Sequence, residues 1–183
     1  MHGTETPSAW VERWAHLVPE GAAVLDVACG YGRHTRFFRQ RGCDVTALDR
    51  DADALATLGN VARTVQCDIE NGPWPQGLGV FGAVVVTNYL WRPVLWQVIA
   101  SVASGGVLIY ETFAEGNEAF GKPSRADFLL KPGELLEACR SLHVVAYEHG
   151  KLPDPDRVVQ RIAAIRQDAR AAGEGAFALA ATR

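Results

Sequence analysis

A buried strand that breaks into a glycine-spaced turn is the feature that most constrains this fold. The apolar run at residues 24–28 is followed by Gly30 and Gly32, and a helical pattern resumes from Thr35 to Arg41. This order predicts a parallel strand, a tight turn and a helix, an arrangement typical of nucleotide-binding α/β folds. Glycines in the turn leave room for a ligand where a Cβ atom would collide with it.

The spacing of the turn distinguishes between two kinds of nucleotide. A dinucleotide fingerprint has a third glycine three residues after Gly32, where the pyrophosphate and close helix packing require it. Thr35 occupies that position. The turn therefore suits a cofactor without a pyrophosphate better than it suits NAD. Arg33 and His34 open the helix after the turn, where we expect them either to meet a carboxylate or to lie on a solvated helix face.

Length and composition predict a single globular domain over residues 1–183. Of these, 48% are hydrophobic and 21% are charged, with a formal net charge of −3. Because there is no basic excess, we expect no nucleic-acid partner. The longest apolar stretch, residues 80–86, is far shorter than the ~20 residues of a membrane helix. The four cysteines are widely spaced, which predicts reduced thiols. The sequence shows no apolar leader, and we therefore expect a cytoplasmic location and no membrane association.

Strand and helix patterns alternate along the chain. Thr6 and Pro7 are expected to begin a covering helix within residues 1–20. Asp51 is expected to cap the helix after the second strand, and Pro93 to open the helix after the fourth. Strands are predicted at residues 24–27, 44–49, 61–68, 82–87 and 107–112.

The end of the chain allows two interpretations. Residues 143–149 and 158–166 are strand-like and are joined by a proline-rich loop, which predicts an antiparallel pair at the sheet edge. The second segment also fits a helical stripe, in which case residues 176–181 would form the last strand. We favour the antiparallel pair.

Acidic residues end the second and third predicted strands, where ligands of alternating α/β sheets bind. Asp49 lies 19 residues after Gly30, close to the about 20 expected for a carboxylate that accepts both ribose hydroxyls. Asp68 is expected to accept the amino group of adenine, with Ile69 packing on the ring. A helix cap is the alternative role for Asp49, and a loop hydrogen bond for Asp68. Asp26 lies within the first strand, where a carboxylate is costly unless it faces the turn amides or a cationic ligand group.

Together these residues resemble the class I S-adenosylmethionine-dependent methyltransferases. Residues 24–34 resemble the glycine-rich motif of that family, Asp49 its ribose contact, residues 67–70 its adenine motif and residues 84–90 its fourth-strand motif. The resemblance implies a Rossmann-like three-layer α/β sandwich with a seven-stranded, mostly parallel sheet and a C-terminal antiparallel hairpin. In that sheet, strand seven lies between strands five and six. The compact chain is most similar to the small-molecule and tellurite-resistance-type branch.

The cofactor implied by the resemblance is S-adenosyl-L-methionine. The residues expected to bind it are Asp26, Ala28, Gly30, Gly32, Asp49, Arg50, Asp68, Ile69 and Asn88. Methyl transfer is an in-line displacement in which the protein mainly aligns the reactants and excludes water, so a dedicated base is optional. The five histidines show neither a catalytic dyad nor a metal-binding spacing. We therefore assign no catalytic residue and no metal site.

Two segments are predicted to contact the acceptor. Tyr89, Trp91 and Arg92 follow the fourth strand, where an aromatic wall favours a planar or cationic group, although core packing of the two aromatic residues is an equal alternative. Residues 113–130 form a long loop that can close over the site or serve as an ordinary surface loop. Lys122 in that loop, with Arg125 near it, would suit a negatively charged acceptor.

The leading prediction is an enzyme that transfers a methyl group to a small-molecule acceptor. Amino-methylating members of the family carry an Asn or Asp followed by two prolines and an aromatic residue, and residues 88–90 depart from that pattern. The departure disfavours a nucleobase or glutamine acceptor. The alternatives are a non-catalytic module that binds the cofactor and serves a protein partner, a nicotinamide oxidoreductase, or an aminopropyl transferase. Thr35 disfavours the oxidoreductase, and the lack of paired acids beside an amine pocket disfavours the aminopropyl transferase.

Overall fold

The computed structural model describes residues 6–168 as one seven-stranded sheet with helices on both faces. The strands are β1 (Ala23–Val27), β2 (Asp44–Asp49), β3 (Arg63–Gln66), β4 (Phe81–Thr87), β5 (Val102–Phe113), β6 (His143–Leu152) and β7 (Arg157–Ile165). The helices are α1 (Ala9–Trp14), α2 (Arg33–Gln40), α3 (Ala52–Ala56), α4 (Leu95–Ala100) and α5 (Glu134–Ala138). No helix within residues 6–168 is long and apolar enough to span a membrane.

The strand order is β3-β2-β1-β4-β5-β7-β6. The first five strands are parallel, and β7 runs antiparallel to both β5 and β6. This confirms the predicted fold class and the insertion of the last strand between the fifth and the sixth. The alternative last strand at residues 176–181 lies outside the described residues. The order reverses between β1 and β4, so the carboxyl ends of these strands meet at the point where ligands of α/β sheets bind.

Each face of the sheet packs against its own helices. Helices α1 and α2 bury Trp10, Trp14 and Phe38 on one face. On the other face, α4 and α5 bury Val98 and Leu135. These aromatic and branched aliphatic side chains are at most 2% exposed, and they account for the apolar positions at helical spacing in the sequence. The sheet is therefore rigidly held between two layers, and its carboxyl edge is free to carry a site.

The first helix begins two residues later than predicted. Its N-cap is Ser8 and not Thr6, because the Ser8 hydroxyl accepts a hydrogen bond from the Trp10 N–H at 3.2 Å. The Ser8 hydroxyl also donates to Glu111 on β5 at 3.0 Å. A serine that both caps the helix and bonds to the sheet fixes the helix start through a long-range contact that local sequence does not contain.

Several strand boundaries also differ from the prediction, among them those of β3 and β5. Strand β3 ends at Gln66, so Asp68 lies two residues after the strand and does not end it. Strand β3 begins at Arg63 and not at residue 61, because the Val61 N–H still donates to Leu58 O in the turn that follows α3. Strand β5 begins at Val102, although the glycine pair was expected to precede it. At Gly106 a Cβ atom would lie 2.9 Å from the carbonyl oxygens of Ala103 and Phe81. The glycine pair therefore lies within the strand, at a register shift, where only glycine fits.

The loop at residues 113–130 is anchored at its C-terminal end by Arg92. The guanidinium donates to both carboxylate oxygens of Glu134 on α5, at 2.6 and 2.8 Å. It also donates to the carbonyls of Asp127 and Leu129, each at 2.8 Å. A planar guanidinium suits this forked arrangement, which an ammonium cannot reproduce. Arg92 was predicted to contact the acceptor, and its donors are instead used to hold the loop to α5.

We expect Arg92→Ala to lower the free energy of unfolding by about 2 kcal/mol, because it leaves half-buried Glu134 without its ion-pair partner and takes a donor from two carbonyls. Hydrogen exchange at residues 126–130 should accelerate. Arg125→Ala is the matched control, since Arg125 forms an exposed pair with Asp127 at 2.7 Å and should change stability by less than about 1 kcal/mol. Equal effects of the two variants on exchange would show that Arg92 does not anchor the loop.

Candidate functional site

A cavity of about 310 Å³ lies at the carboxyl ends of β1 to β4, at the reversal of the strand order. It is lined by Ala28, Leu48, Asp49, Arg50, Asp51, Cys67, Asp68, Ile69, Glu70, Asn88 and Tyr89. Six of the nine predicted cofactor residues are among them. Cys67 and Glu70 were not predicted individually, although they fall within the 67–70 motif. Leu48 and Asp51 were missed, and only their places beside Asp49 in the sequence could have indicated them.

Two non-glycine residues in the cavity wall have left-handed backbone conformations. Ala28, directly after β1, has a φ of +53°, and Asn88, directly after β4, has a φ of +54°. This conformation costs an L-residue such as Ala28 about 1–2 kcal/mol, whereas asparagine tolerates it better. Backbone strain of this kind is concentrated at functional sites. It marks both strand ends at the reversal point as parts of the site.

The two glycines of the turn differ in what they leave room for. At Gly30, with a φ of +53°, an added Cβ atom would meet nothing within 4 Å. At Gly32, with a φ of +75°, an added Cβ atom would lie 2.5 Å from a methyl group of Leu58. The absence of a side chain at Gly32 therefore serves the packing of the turn against Leu58, and the expected contact of Gly32 with a ligand stays a prediction. Open space is found at Gly30.

Asp49 joins the end of β2 to the glycine turn. Its Oδ2 accepts a hydrogen bond from the Gly30 N–H at 2.7 Å, and its Oδ1 accepts from the Asp51 N–H at 2.9 Å. The capping role belongs to Asp51, whose carboxylate accepts from the N–H groups of Asp53 and Ala54. Asp49 is thus fixed by two backbone donors at the cavity wall, with lone pairs remaining for further donors.

Asp68 lines the cavity and also closes a turn of its own loop. Its Oδ1 accepts from the N–H groups of Glu70 and Asn71, and its Oδ2 accepts from the Asn71 side-chain amide at 2.8 Å. These bonds lower the pKa of Asp68, the Asn71 side chain most strongly. The loop hydrogen bond that was the alternative role is therefore present. Next to Asp68, Arg50 and Glu70 form an ion pair at 3.3 Å that bridges the ends of β2 and β3.

Asp26 lies behind the turn and outside the cavity lining. Its Oδ2 accepts a hydrogen bond from the Thr35 hydroxyl at 2.6 Å. Burial raises its pKa to about 6, against the effect of the bonds from Thr35. Thr35 stands where a dinucleotide-binding motif has its third glycine, and here its hydroxyl donates a hydrogen bond to the buried Asp26 carboxyl group. Asp26 remains a predicted cofactor contact, although the structure assigns it to supporting the start of α2.

His34 is buried and uncharged, and neither of its expected roles is observed. Its Nε2 accepts a hydrogen bond from the Ser8 N–H at 3.1 Å. Nδ1 therefore carries the proton and faces the Thr87 hydroxyl at 3.4 Å. Burial lowers its pKa to about 3, with a further contribution from the charge of Arg33. His34 thus links α2 to the N-terminal helix and to the end of β4.

His34 and Asp26 should give opposite dependences of stability on pH. The unfolded chain protonates its histidine below pH 6.5 while folded His34 does not, so His34 lowers stability as the pH falls from about 6.5 toward 3. Folded Asp26 takes up a proton below about pH 6 before the unfolded chain does, so it raises stability as the pH falls from 6 to 3.8.

We therefore expect acidification to favour His34→Gln over the native protein by on the order of 1 kcal/mol per pH unit between pH 6 and 4. Asp26→Asn should show the opposite trend. Urea unfolding of the three proteins at several pH values measures both differences. A pH-independent difference for His34→Gln would show that folded His34 binds a proton as readily as the unfolded chain.

The residues predicted to contact the acceptor do not form one cluster. Tyr89 lines the cavity, and its hydroxyl is buried without a hydrogen-bond partner among residues 6–168. Trp91 is half-buried and packs against the apolar core of the α4 face. Lys122 is exposed on the 113–130 loop and does not line the cavity. Tyr89 therefore belongs to the same wall as the predicted cofactor residues.

Comparison with known proteins agrees with this architecture. Residues 24–105 match the family described as a methyltransferase domain. A malonyl-[acyl-carrier protein] O-methyltransferase of Pectobacterium atrosepticum is 32% identical over 120 residues, covering 58% of this chain and 45% of that protein. Both findings support the predicted resemblance to the class I S-adenosylmethionine-dependent methyltransferases. The chain spans less than half the length of the curated relatives that it matches.

Solved structures of methyltransferases share the fold. TehB from Haemophilus influenzae superposes with a TM-score of 0.68 at 20% identity, over 87% of this chain and 61% of TehB. The 1,6-didemethyltoxoflavin-N1-methyltransferase of Burkholderia thailandensis, solved with S-adenosylhomocysteine, has a TM-score of 0.64 at 22% identity, over 87% of this chain and 77% of that one. The class I fold is therefore shown, and the placement in a small-molecule branch stays a prediction.

The lining of this cavity fits S-adenosylmethionine, the cofactor that the resemblance implies. It contains four carboxylates, Asp49, Asp51, Asp68 and Glu70, and one cation, Arg50. This charge balance favours a sulfonium and a neutral ribose and opposes the pyrophosphate of NAD. The unpaired Tyr89 hydroxyl offers a further polar contact to a ligand. Asp49 and Asp68, with Ala28 and Asn88 beside them, line this cavity and remain the predicted cofactor residues.

Proposed function

We propose that this protein transfers the methyl group of S-adenosylmethionine to a small-molecule acceptor. The observation that carries the proposal is the acid-lined cavity at the reversal point, with Asp49 fixed between the Gly30 and Asp51 amides. Its volume of about 310 Å³ is within the range of about 300–1,000 Å³ of small-molecule sites. The match of residues 24–105 to a methyltransferase domain supports the choice of cofactor.

The protein contributes mainly binding and alignment to such a reaction. The bound cofactor supplies an electrophilic methyl group that an acceptor displaces in line. Asp49 and the turn fix the donor side, because their mutual hydrogen bond holds the end of β2 against the loop after β1. Tyr89 and Asn88 extend the same wall to the end of β4. The buried sheet beneath them keeps these groups in a fixed geometry.

A protein-carried acceptor is a second candidate. It is favoured by the 32% identity to a malonyl-[acyl-carrier protein] O-methyltransferase, whose name specifies an acyl group on a carrier protein. A second methyltransferase of the same name, from Enterobacter lignolyticus, is 46% identical over 55 residues. Both acceptor classes require the cavity at the carboxyl ends of β1 to β4, which we call the donor cavity. They differ only in whether a free small molecule or a carrier protein brings the acceptor group to it.

Calorimetry and a turnover assay test the proposal. S-adenosylmethionine and S-adenosylhomocysteine should bind and NAD should not. A panel of small acceptors, with malonyl-[acyl-carrier protein] as a separate arm, should then release S-adenosylhomocysteine in at least one case. Turnover only with the carrier protein would favour the second candidate. Binding of NAD alone would overturn the cofactor, and binding without turnover against a broad panel would favour a non-catalytic module.

A further inference from the structure

We propose that Tyr89 selects the base of the methyl donor, because its hydroxyl donates a hydrogen bond to a ring nitrogen of the adenine. This inference rests on the proposed methyl transfer, since it assigns a role within the same donor cavity. It arises from the position of the Tyr89 hydroxyl, which is buried in the cavity wall and has no hydrogen-bond partner among residues 6–168. Tyr89 was predicted to contact the acceptor, and the inference moves it to the donor side.

The backbone of Tyr89 is held in place by the neighbouring strand β5. Asn88, with its φ of +54°, turns the chain out of β4, and its N–H donates to the Glu111 carbonyl at 2.9 Å. The Tyr89 carbonyl accepts from the hydroxyl of Tyr110 at 2.8 Å, and Tyr110 is only 1% exposed. Both contacts come from the core of the sheet. The Tyr89 side chain therefore starts from a defined position at the reversal of the strand order.

Tyr89 and the predicted adenine motif line one small cavity. All four residues of the motif, 67–70, belong to its wall together with Tyr89. Ile69 is 5% exposed and belongs to the apolar cluster of the α4 face, against which Cys67 and Tyr89 also pack. The volume of about 310 Å³ is at the lower end of the range for ligand pockets. A ligand that fills this cavity beside residues 67–70 is therefore within reach of Tyr89.

The Tyr89 hydroxyl keeps its proton and is therefore a hydrogen-bond donor. Burial raises the pKa of Tyr89, and the negative charges of Glu70 and Asp68 raise it further. Neither carboxylate accepts this proton. Asp68 accepts from its own loop and most strongly from the Asn71 side chain, and Glu70 pairs with Arg50 at 3.3 Å. An acceptor atom on a bound ligand would supply the partner that the hydroxyl lacks. The Arg50–Glu70 pair is partly exposed, so a ligand displaces it at little cost.

Adenine requires donors as well as acceptors from this wall. Its amino group donates, whereas its ring nitrogens accept. Ionised carboxylates such as Asp68 and Glu70 can only accept, so they match the amino group and not the ring nitrogens. The Tyr89 hydroxyl supplies a donor for a ring nitrogen. A site with paired polar groups of both kinds rejects bases that lack the matching atom, which makes Tyr89 a specificity-determining residue for the donor.

The hydroxyl of Tyr89 is a cost to the ligand-free protein. Buried polar groups are nearly always hydrogen-bonded, and an exception calls for an explanation. A phenylalanine at this position would keep the packing against the apolar cluster without leaving a hydroxyl unpaired. The benefit of the hydroxyl is therefore expected on binding and not on folding. A purely structural role and a role in donor binding predict different effects of its removal, so an experiment can separate them.

Tyr89→Phe in the full chain tests the inference, because it removes the hydroxyl alone. Calorimetry should show about tenfold weaker binding of S-adenosylhomocysteine, whereas the urea midpoint of the ligand-free protein should not fall. Tyr147→Phe is the matched control, since the Tyr147 hydroxyl donates to Gln160 Oε1 at 3.1 Å and Tyr147 is not part of the donor-cavity lining. This control should lower the urea midpoint and leave the affinity unchanged.

Three deaza analogues of S-adenosylhomocysteine, in which a carbon replaces N1, N3 or N7 of the adenine, identify the atom that Tyr89 contacts. The native protein should bind one of them about tenfold more weakly than S-adenosylhomocysteine. For that analogue alone, Tyr89→Phe should cause no further loss of affinity, because the bond is already absent. The other two analogues should lose about as much affinity on Tyr89→Phe as S-adenosylhomocysteine does.

The outcomes are distinguishable. Failure of S-adenosylhomocysteine to bind the native protein would overturn the proposed function and not this inference alone. Binding that Tyr89→Phe leaves unchanged would overturn the inference only. A lower urea midpoint for Tyr89→Phe would show that the hydroxyl is already bonded in the free protein, and the inference would again be wrong. Equal losses on Tyr89→Phe for S-adenosylhomocysteine and all three analogues would also refute it, because the hydroxyl would then contact a part of the donor other than the base.

Discussion

Asp49→Ala should weaken the binding of S-adenosylhomocysteine by about a hundredfold. The carboxylate accepts from the Gly30 and Asp51 N–H groups and lines the cavity. Its removal takes away the predicted bonds to the two ribose hydroxyls and also releases the glycine turn from the end of β2. Isothermal titration calorimetry measures the change in affinity, and circular dichroism checks that the fold is kept.

Asp44→Ala is the matched control for this prediction. Asp44 lies at the opposite end of the same strand, where it forms only a loose, exposed pair with Arg39 at 3.8 Å. Its substitution should leave affinity unchanged. Asp49→Asn adds a further comparison, because an amide oxygen can still accept from Gly30 but the charge is lost. Unchanged affinity in Asp49→Ala would mean that Asp49 serves only the local backbone.

Gly32→Ala should lower the free energy of unfolding by about 3 kcal/mol. One part of the cost is the backbone, since a φ of +75° is unfavourable for an L-residue. The other part is steric, because the new Cβ atom would lie 2.5 Å from Leu58, a side chain that is fully buried. Chemical denaturation measures the loss.

Gly30→Ala separates the two contributions. Gly30 has a φ of +53° but no atom within 4 Å of an added Cβ, so only the backbone cost of about 1 kcal/mol is expected. A Leu58→Ala background should likewise reduce the additional cost of Gly32→Ala, because it removes the clashing methyl groups. Equal destabilisation by the two glycine substitutions would show that Leu58 moves aside freely.

Helix caps and strand patterns predicted the elements of the sheet well, because each of these signals is contained in a few neighbouring residues. Asp51 caps α3 as expected, and β2 has the predicted bounds. The alternation of strand and helix then leaves few possible topologies. The family resemblance supplied what alternation does not, namely the insertion of β7 between β5 and β6.

Contacts between distant parts of the chain could not be predicted in this way. The capping serine bonds to a histidine 26 residues later and to a glutamate 103 residues later. Arg92 looked like a substrate contact because it follows the fourth strand, but its partners lie more than 30 residues further on. The left-handed backbone conformations of Ala28 and Asn88 also could not be predicted from composition or hydrophobic periodicity. These features depend on the assembled sheet edge.

The strand order divides the molecule into two successive portions of sequence. The donor cavity is built entirely from residues 28–89, whereas Glu111 and the β6–β7 hairpin come from the part of the chain after residue 110. Such a division makes the fold modular: under the proposed methyl transfer, the second portion could diverge to accommodate new acceptors while the first keeps the donor cavity. The family match, which covers residues 24–105, coincides with the portion that this modularity would hold constant.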